Sequence, residues 1–277
     1  MKIANGYDLM DYAVRHKYLL PSFNTTNMEM TYAIAKGLNS AGFPGYIQIS
    51  SNNLRLSSPE AIVTLTKDAL KDSDMPVALH LDHGKTYEDV KSCVNAGFTS
   101  IMIDASHMPY EDNIKETRRA VEYCHFYGVP VEAELGALQG KEEDIINESD
   151  CKTDPALVED FVTRTGCDLL AVSIGNVHGL EMTPNIDLPL LKELSALCPV
   201  PMVMHGGSGV DFAVIRQMKN YKMLKVNYGS DLRRAFVQTF GKAYESDHQI
   251  ASVIELSLEA VDHVSKAVES ITTVINQ

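Results

Sequence analysis

The stretch VALHLDHGKTYEDVKSCVNAGFTSIMIDAS, residues 77–106, is the smallest unit from which the fold can be read. It opens on a short apolar run, VALHLD (77–82), crosses an amphipathic segment that starts at Thr86 and stops before Gly97, and closes on a second run, SIMIDAS (100–106). Near-continuous apolar runs of this length, rich in Val, Ile and Leu, fit strands buried on both faces, as in parallel sheets. A helix joining two such strands is the right-handed crossover that a parallel sheet requires.

The same alternation extends in both directions. Apolar runs occur at YLLPSFN (18–24), GYIQIS (45–50), VPVEAELG (129–136), LLAVSIG (169–175), PMVMHG (201–206) and MLKVNYG (223–229). Helical segments lie between and after them. One runs over 27–41 from the cap Asn27 to Gly42, and another over 58–72 from Ser58-Pro59-Glu60. Others cover 110–127 up to Gly128, 154–165 from Asp154-Pro155 to Gly166, and then 187–196, 210–220 and 230–246. Eight strands alternating with eight helices predict an α/β chain folded as a single (β/α)8 TIM barrel over 1–277, although an open doubly wound sheet satisfies the same alternation. Residues 249–277 read as a C-terminal helical extension of one or two helices outside the barrel. The segment 137–153, ALQGKEEDIINESDCKT, is long and polar and reads as a loop without a packed element, of the kind that forms lids.

Composition narrows the function classes. The 277 residues are 45% hydrophobic and 22% charged, ordinary for a globular protein, with a net charge of −13. An acidic chain is a poor nonspecific binder of nucleic acid, so no nucleic-acid partner is expected. An anionic substrate would need positive potential made locally, by a metal, helix N-termini or a few cations. Cys93, Cys124, Cys151, Cys167 and Cys198 are odd in number, widely spaced and form no C-x-x-C, which favours a reducing compartment. MKIANGYDLMDYAVRHKYLL at the N-terminus has no continuous apolar core, and no apolar run is long enough to span a bilayer. The expected location is the cytoplasm, without a membrane partner.

In barrels of this type chemistry sits at the C-terminal ends of the strands. The third to eighth runs end in His80-Leu81-Asp82-His83-Gly84, Asp104-Ala105-Ser106-His107, Glu132-Ala133-Glu134-Leu135-Gly136, Gly175-Asn176-Val177-His178-Gly179, His205-Gly206-Gly207-Ser208-Gly209 and Asn227-Tyr228-Gly229-Ser230-Asp231. Five of the nine histidines, His80, His83, His107, His178 and His205, fall at these ends. A single one would be an ordinary hydrogen-bonded core residue. His83, His178 and His205 from three strands suit a catalytic zinc with an open fourth position. Strand parity opposes His83 to His80 and Asp82, so His83 reaches the mouth only if its strand ends at Asp82. The turns at 206–209 and 227–230 each open a helix, an arrangement that binds phosphate through backbone N–H groups.

These residues together resemble the class II, metal-dependent ketose-bisphosphate aldolases, the fructose- and tagatose-bisphosphate aldolases. The resemblance covers roughly residues 1–235 and rests on Phe23-Asn24-x-x-Asn27-x-Glu29, Gln48-x-Ser50, His80-Leu81-Asp82-His83-Gly84, Met102-Ile103-Asp104-x-Ser106, Glu132-x-Glu134-Leu135-Gly136, Gly175-x-x-His178-Gly179, His205-Gly206-Gly207-Ser208-Gly209 and Lys225-x-Asn227. It implies one Zn²⁺ on His83, His178 and His205, with His80, Asp104 and Glu134 behind the ligands or at an alternative metal position. Asp82 would handle the proton of the aldehyde-derived hydroxyl, and Asn227 would contact the enediolate. Asn24, Ser50, Gly179, Gly206, Gly207, Ser208, Asn227, Gly229 and Ser230 would hold a small-molecule sugar phosphate, with a monovalent cation (Na⁺ or K⁺) beside it. A Glu on the loop after strand five would move the C3 proton; Glu142 and Glu143 both fit, Glu143 being preferred. A homodimer or homotetramer is implied.

The chain departs from that pattern at the distal substrate end. Glu181-Met182-Thr183 stands where Tyr-Lys-Gly is common, and Gly229 where some fructose enzymes carry Asp. Ser51-Asn52-Asn53 replaces a Pro-Gly or Gly-Gly turn, and the tail lacks a Gly-Ser-x-Gly-Lys ending or an evident Arg for a distal phosphate. The expected reaction is reversible retro-aldol cleavage of fructose or tagatose 1,6-bisphosphate to dihydroxyacetone phosphate and glyceraldehyde 3-phosphate. A ketose 1-phosphate with a different distal group is the alternative, and a non-catalytic aldolase-like scaffold a further one. A barrel zinc hydrolase would show His-x-His on the first strand, which is missing here. A Schiff-base enzyme would need a strand-end Lys; Lys225 is expected instead at the start of its strand or in a structural ion pair.

Overall fold

The computed structural model describes residues 3–136, 139–142, 145–147 and 152–277. In chain order the strands are β1 (Leu20–Asn24), β2 (Gly45–Ser50), β3 (Val77–Gly84), β4 (Ser100–Ile103), β5 (Val131–Leu135), β6 (Gln139–Glu142), β7 (Ile145–Asn147), β8 (Leu169–Val172), β9 (Val177–His178), β10 (Met202–Met204) and β11 (Met223–Tyr228). The helices are α1 (Gly6–His16), α2 (Met28–Ala41), α3 (Pro59–Ala69), α4 (Tyr87–Ala96), α5 (Tyr110–Phe126), α6 (Pro155–Thr165), α7 (Leu188–Leu197), α8 (Phe212–Met218), α9 (Ser230–Ser246) and α10 (Val253–Asn276). Eight strands close in the order β1-β11-β10-β8-β5-β4-β3-β2, every neighbouring pair parallel. The chain is a closed (β/α)8 barrel and not an open sheet.

Local chemistry sets the helix ends. Thr86 and Asp89 form a reciprocal capping box at the start of α4, and Gly97 ends it at φ 110°. Asn27 caps α2, and Ser58 and Asp154 cap α3 and α6 ahead of a first-turn proline. The C-terminal segment is one long helix, α10, which packs on α2. Asn276 near its end bonds both the N–H and the carbonyl of Leu19 at 2.9 and 3.0 Å, tying it to the start of β1.

Burial divides the interior in two. Outside the sheet, one large apolar cluster fills the space between strands and helices, from Phe23 and Ile47 through Phe161 to Val268. Inside the lower barrel lies a second cluster, in which Leu20, Tyr46, Ala78, Met102, Leu169, Ala171 and Val203 meet Leu9 and Ala13 of α1. Helix α1 closes the barrel floor: a Cβ at Gly6 would stand 2.6 Å from the Pro130 ring and 3.0 Å from the Thr99 carbonyl.

Two features differ from the sequence reading. Helix α1 lies where only the absence of a targeting pattern was read. Part of the 137–153 segment is structured, since β6 pairs antiparallel with β7 and parallel with β9, opposing Gly140 to His178. Neither QGKE nor IIN alternates apolar and polar residues, so no periodicity marked this short hairpin.

Gly37 of α2 sits where a Cβ would come within 2.6 Å of Val268 Cβ and of the Ser265 carbonyl on α10. Gly37→Val is therefore expected to lower stability by about 1–3 kcal/mol through overpacking, read as a reduced urea midpoint at unchanged slope.

Candidate active site

Strand β3 delivers both Asp82 and His83 to the barrel mouth, and a break in register makes this possible. The assigned strand runs on to Gly84 rather than ending at Asp82, but its pairing with β4 slips between Leu81 and Gly84. His83 takes φ 45°, a left-handed conformation costly for a non-glycine residue. Gly84 then passes so close to β4 that a Cβ would lie 2.6 Å from the Met102 carbonyl. The bulge turns two consecutive side chains to one side, where a regular strand would present only one of them.

His83, His178 and His205 converge from β3, β9 and the end of β10, each offering a ring nitrogen within 4.8 Å of the others. His83 Nδ1 lies 2.7 Å from Asp104 Oδ2, and His205 Nε2 lies 2.7 Å from Glu132 Oε1. Carboxylates only accept, so these nitrogens carry the protons and His83 Nε2 and His205 Nδ1 are left as lone pairs. Those two atoms face each other at 2.8 Å. Two lone pairs hold that distance only with a cation or a proton between them. A carboxylate behind the imidazole, as at His83 and His205, is the arrangement of zinc-ligating histidines, so the donor set fits a divalent metal. His83, Asp104 and Glu134 form a second group of the same compactness.

The carboxyls are held ionised. Burial pushes the Asp104 carboxyl up, but the His83 ring and the Ser106 hydroxyl and N–H outweigh it and hold the acid below the usual carboxylate range. Burial likewise opposes ionisation of Glu132, and the Lys225 ammonium and the His205 N–H overcome it. Burial, then the neighbouring Lys225, depresses the pKa of His80 well below its ordinary value, so this ring is neutral. It sits fully inside the barrel against Ser100 and Lys225 and does not belong to the group of three converging rings.

Asp82 lies beside the three rings, 1% exposed, with Oδ1 4.0 Å from His83 Nε2. Asn24 Nδ2 donates to its Oδ2 at 2.7 Å and Asn227 Nδ2 to its Oδ1 at 3.3 Å. Asn24 is fixed in turn by Gln48 Nε2, which donates to its Oδ1 at 2.9 Å, and the Ser22 hydroxyl donates to Gln48 Oε1. Ser50 pairs in register with Asp82, and its Oγ accepts from the Asn53 N–H at 3.3 Å.

Next to the rings a narrow cleft is lined by Asn24, Gly179, Gly206, Ser208, Asn227, Gly229, Ser230 and Arg233, with His178 and His205. Helix α9 begins at Ser230 with no side-chain cap, so its positive end opens into this cleft, and Ser208 Oγ accepts from the Asp231 N–H at 3.3 Å. Gly207 stands behind the wall, its N–H donating to the Asn227 carbonyl at 2.9 Å. Glu143, like the side chain of Glu142, lies outside the described residues.

Sequence reasoning left Glu132 and Gln48 without roles, although each stands two residues before an assigned one and so shares its face. It also missed Arg233, whose Nη2 is 3.5 Å from Ser230 Oγ. Arg233 lies one helical turn past the strand end, where only three-dimensional packing brings it to the mouth.

The comparisons agree with this geometry. Residues 4–277 match the family described as fructose-bisphosphate aldolase class-II. The fructose-bisphosphate aldolase of Geobacillus stearothermophilus is 34% identical over 254 residues, covering 90% of this chain and 88% of the relative. That of Staphylococcus epidermidis is 32% identical over the same length, covering 90% and 89%. The crystal structure of the YdjI aldolase from Escherichia coli K12 superposes with a TM-score of 0.84 at 29% identity, covering 96% of this chain and 95% of that one. A parallel barrel with imidazoles and a carboxylate at its mouth fits a metal-assisted enzyme site. The chain belongs to the class II fructose-bisphosphate aldolase family and is an aldolase, a carbon–carbon lyase. That family is generally metal-dependent.

Gly206 has φ 65°, and a Cβ there would lie 2.1 Å from the Val177 carbonyl. Gly206→Ala must therefore displace His205 or the β9 segment carrying His178. Metal titration of this variant is expected to show zinc affinity reduced at least tenfold while the far-ultraviolet dichroism of the barrel is retained.

Proposed function

We propose that the chain is a zinc-dependent aldolase that reversibly cleaves the C3–C4 bond of a ketose 1,6-bisphosphate, of the fructose or tagatose series, giving dihydroxyacetone phosphate and glyceraldehyde 3-phosphate. The observation that carries the reading is Asp82, a buried carboxylate held by two amides beside three converging imidazoles. A zinc ion on His83, His178 and His205 would supply Lewis-acid stabilisation of the negative charge that cleavage leaves on the ketone half.

The chain's own groups supply the remainder. Asp82 takes the proton of the C4 hydroxyl, the C4–O bond becomes the aldehyde carbonyl, and the C3–C4 electron pair stays on the ketone half. In condensation the same proton returns to the new hydroxyl. Because Asn24 and Asn227 donate to separate oxygens, the carboxylate cannot rotate, and the proton is handled from a fixed position. The open end of α9, with Ser208 and Ser230, receives the C1 phosphate by dipole and N–H donation. Asn227 Oδ1 is buried without a hydrogen-bond partner, so a substrate hydroxyl entering the cleft would satisfy it. Gly179, Gly206 and Gly229 line the cleft in which the substrate would lie. Glu143 is the group proposed for the C3 proton, and a monovalent cation, Na⁺ or K⁺, for the phosphate.

A second reading keeps the mechanism and changes the aldehyde. The departures from the family pattern at Glu181-Met182-Thr183, at Ser51-Asn52-Asn53 and in the tail support a ketose 1-phosphate with a different distal group. The chain is further proposed to work in the cytoplasm, where its thiols stay reduced; Cys93, Cys124, Cys167 and Cys198 are free. Among the described residues no helix is long and apolar enough to cross a membrane. A homodimer or homotetramer is proposed, supported by the exposed Val253, Ile254 and Leu258 on α10, and light scattering tests it.

Removal of zinc by a chelator is expected to abolish cleavage of both bisphosphates and re-addition to restore it. Activity that survives complete metal removal, or that borohydride traps, would overturn the metal mechanism. Asp82→Asn is expected to lower kcat by about 10²–10⁴-fold with zinc still bound, and normal turnover would remove Asp82 from the proposal. Condensation of dihydroxyacetone phosphate with a panel of aldehydes is expected to favour glyceraldehyde 3-phosphate; preference for an unphosphorylated aldehyde establishes the second reading.

A further inference from the structure

Below the mouth, at the centre of the barrel, lies an ion pair that the proposed reaction does not use. Lys225 of β11 and Glu132 of β5 are both 0% exposed, and Lys225 Nζ donates to Glu132 Oε2 at 2.8 Å. A buried pair of this kind is a poor source of stability. Desolvating two charges costs about what their attraction returns, and apolar residues of similar volume commonly do as well or better. Packing alone therefore does not account for it.

Its connections show what it does. Glu132 has two oxygens in separate employment: Oε2 accepts from Lys225, and Oε1 accepts from His205 Nε2 at 2.7 Å. Lys225 also reaches His80 Nε2 at 3.4 Å, and His80 Nδ1 is 2.8 Å from Ser100 Oγ. An ammonium only donates, so His80 Nε2 accepts and its Nδ1 carries the proton toward Ser100. From Ser100 through His80, Lys225 and Glu132 to His205, each group leaves the next one orientation. The last result is that His205 carries its proton on Nε2 and turns Nδ1 to His83.

We propose that Lys225 and Glu132 act together as a positioning unit for the metal site: Glu132 sets the tautomer and ring plane of His205, and Lys225 keeps Glu132 in place as a full carboxylate acceptor. The proposal rests on the zinc reading above. It makes the middle of the barrel part of the metal centre without contact to substrate or metal.

Three variants test it: Glu132→Gln, Lys225→Met and the double substitution. The Glu132→Gln change alone turns an NH₂ toward the Lys225 ammonium, donor against donor, or else toward His205. The Lys225→Met change alone leaves a buried carboxylate without its cation. In the double variant the amide oxygen can accept from His205, and the amide NH₂ faces His80 Nε2, which in the native protein is 3.7 Å from Glu132 Oε2. The readouts are the Zn²⁺ dissociation constant from competition with a chromophoric chelator, the visible absorption of the Co²⁺-loaded protein, and the melting midpoint of the metal-free protein. Glu132→Gln is expected to weaken zinc by about 10–100-fold and to shift the cobalt bands. Lys225→Met should change both in the same direction, and the double variant should bind zinc more tightly than either single one. Wild-type zinc affinity and an unchanged cobalt spectrum in Glu132→Gln would overturn the proposal, with or without soluble Lys225→Met. So would losses in affinity that follow only the metal-free melting midpoint. Wild-type protein that takes up neither ion would instead overturn the zinc reading on which the proposal rests.

Discussion

Closure of eight parallel strands sends every second side chain into a space that water does not enter from below. That constraint organises the molecule. An apolar set of inward positions is sealed by α1, which contributes Leu9 and Ala13. The other inward positions below the mouth are Ser22, Gln48, His80, Ser100, Glu132 and Lys225, all buried. Polar groups there have no solvent to satisfy them, so they must satisfy one another, and they do so in pairs that leave little choice of orientation. The inward positions at the mouth, Asn24, Asp82, Glu134, His205 and Asn227, inherit that order. Asn24 is held from below by Gln48, and His205 by Glu132.

The electrostatics follow from the same layering. With a net charge of −13, the chain cannot attract a sugar phosphate by its overall field. The mouth instead concentrates positive potential in the open end of α9, in Arg233 and in a donor set suited to a divalent ion. Carboxylates stand behind the imidazoles and not in front of them, at Asp104 and Glu132. There they would raise ligand basicity and leave the cleft to the proposed anionic substrate. Asp82 stands at the front, and two amide donors restrain it.

Much of this was legible in the sequence because period and position are properties of the chain. Runs such as GYIQIS and VALHLD, with caps such as Thr86 and stops such as Gly97, define the barrel before any contact is known. Strand ends then locate the histidines. What the chain does not display is deviation from regularity. Parity admits His83 to the mouth only if its strand ends at Asp82, and what brings it there is a bulge with a left-handed φ. The hairpin of β6 and β7 has no apolar alternation to announce it. Helix α1 does have an apolar face, but its use as a barrel floor depends on a hole that exists only after closure. Arg233 belongs to a helix by every local sign and to the cleft only by the way α9 docks. Glu132 and Gln48 were accessible to the parity argument, one step below residues already assigned.

The left-handed backbone at His83 shows why the barrel can sustain an irregular site. A non-glycine residue at φ 45° is unfavourable in isolation, and it persists only where surrounding contacts over-determine it. Here the Ser51 hydroxyl donates to the His83 carbonyl at 2.8 Å, Asp104 holds the ring, and Gly84 lets β4 close in immediately afterward. Three elements, β2, β3 and β4, thus share the stress of one residue. As a result Asp82 and His83, adjacent in the chain, both face the mouth. The proposed acid and the proposed metal ligand, placed on neighbouring residues, cannot drift apart, and that fixed separation is what a reaction needs when one group moves a proton and the other helps hold the charge it leaves.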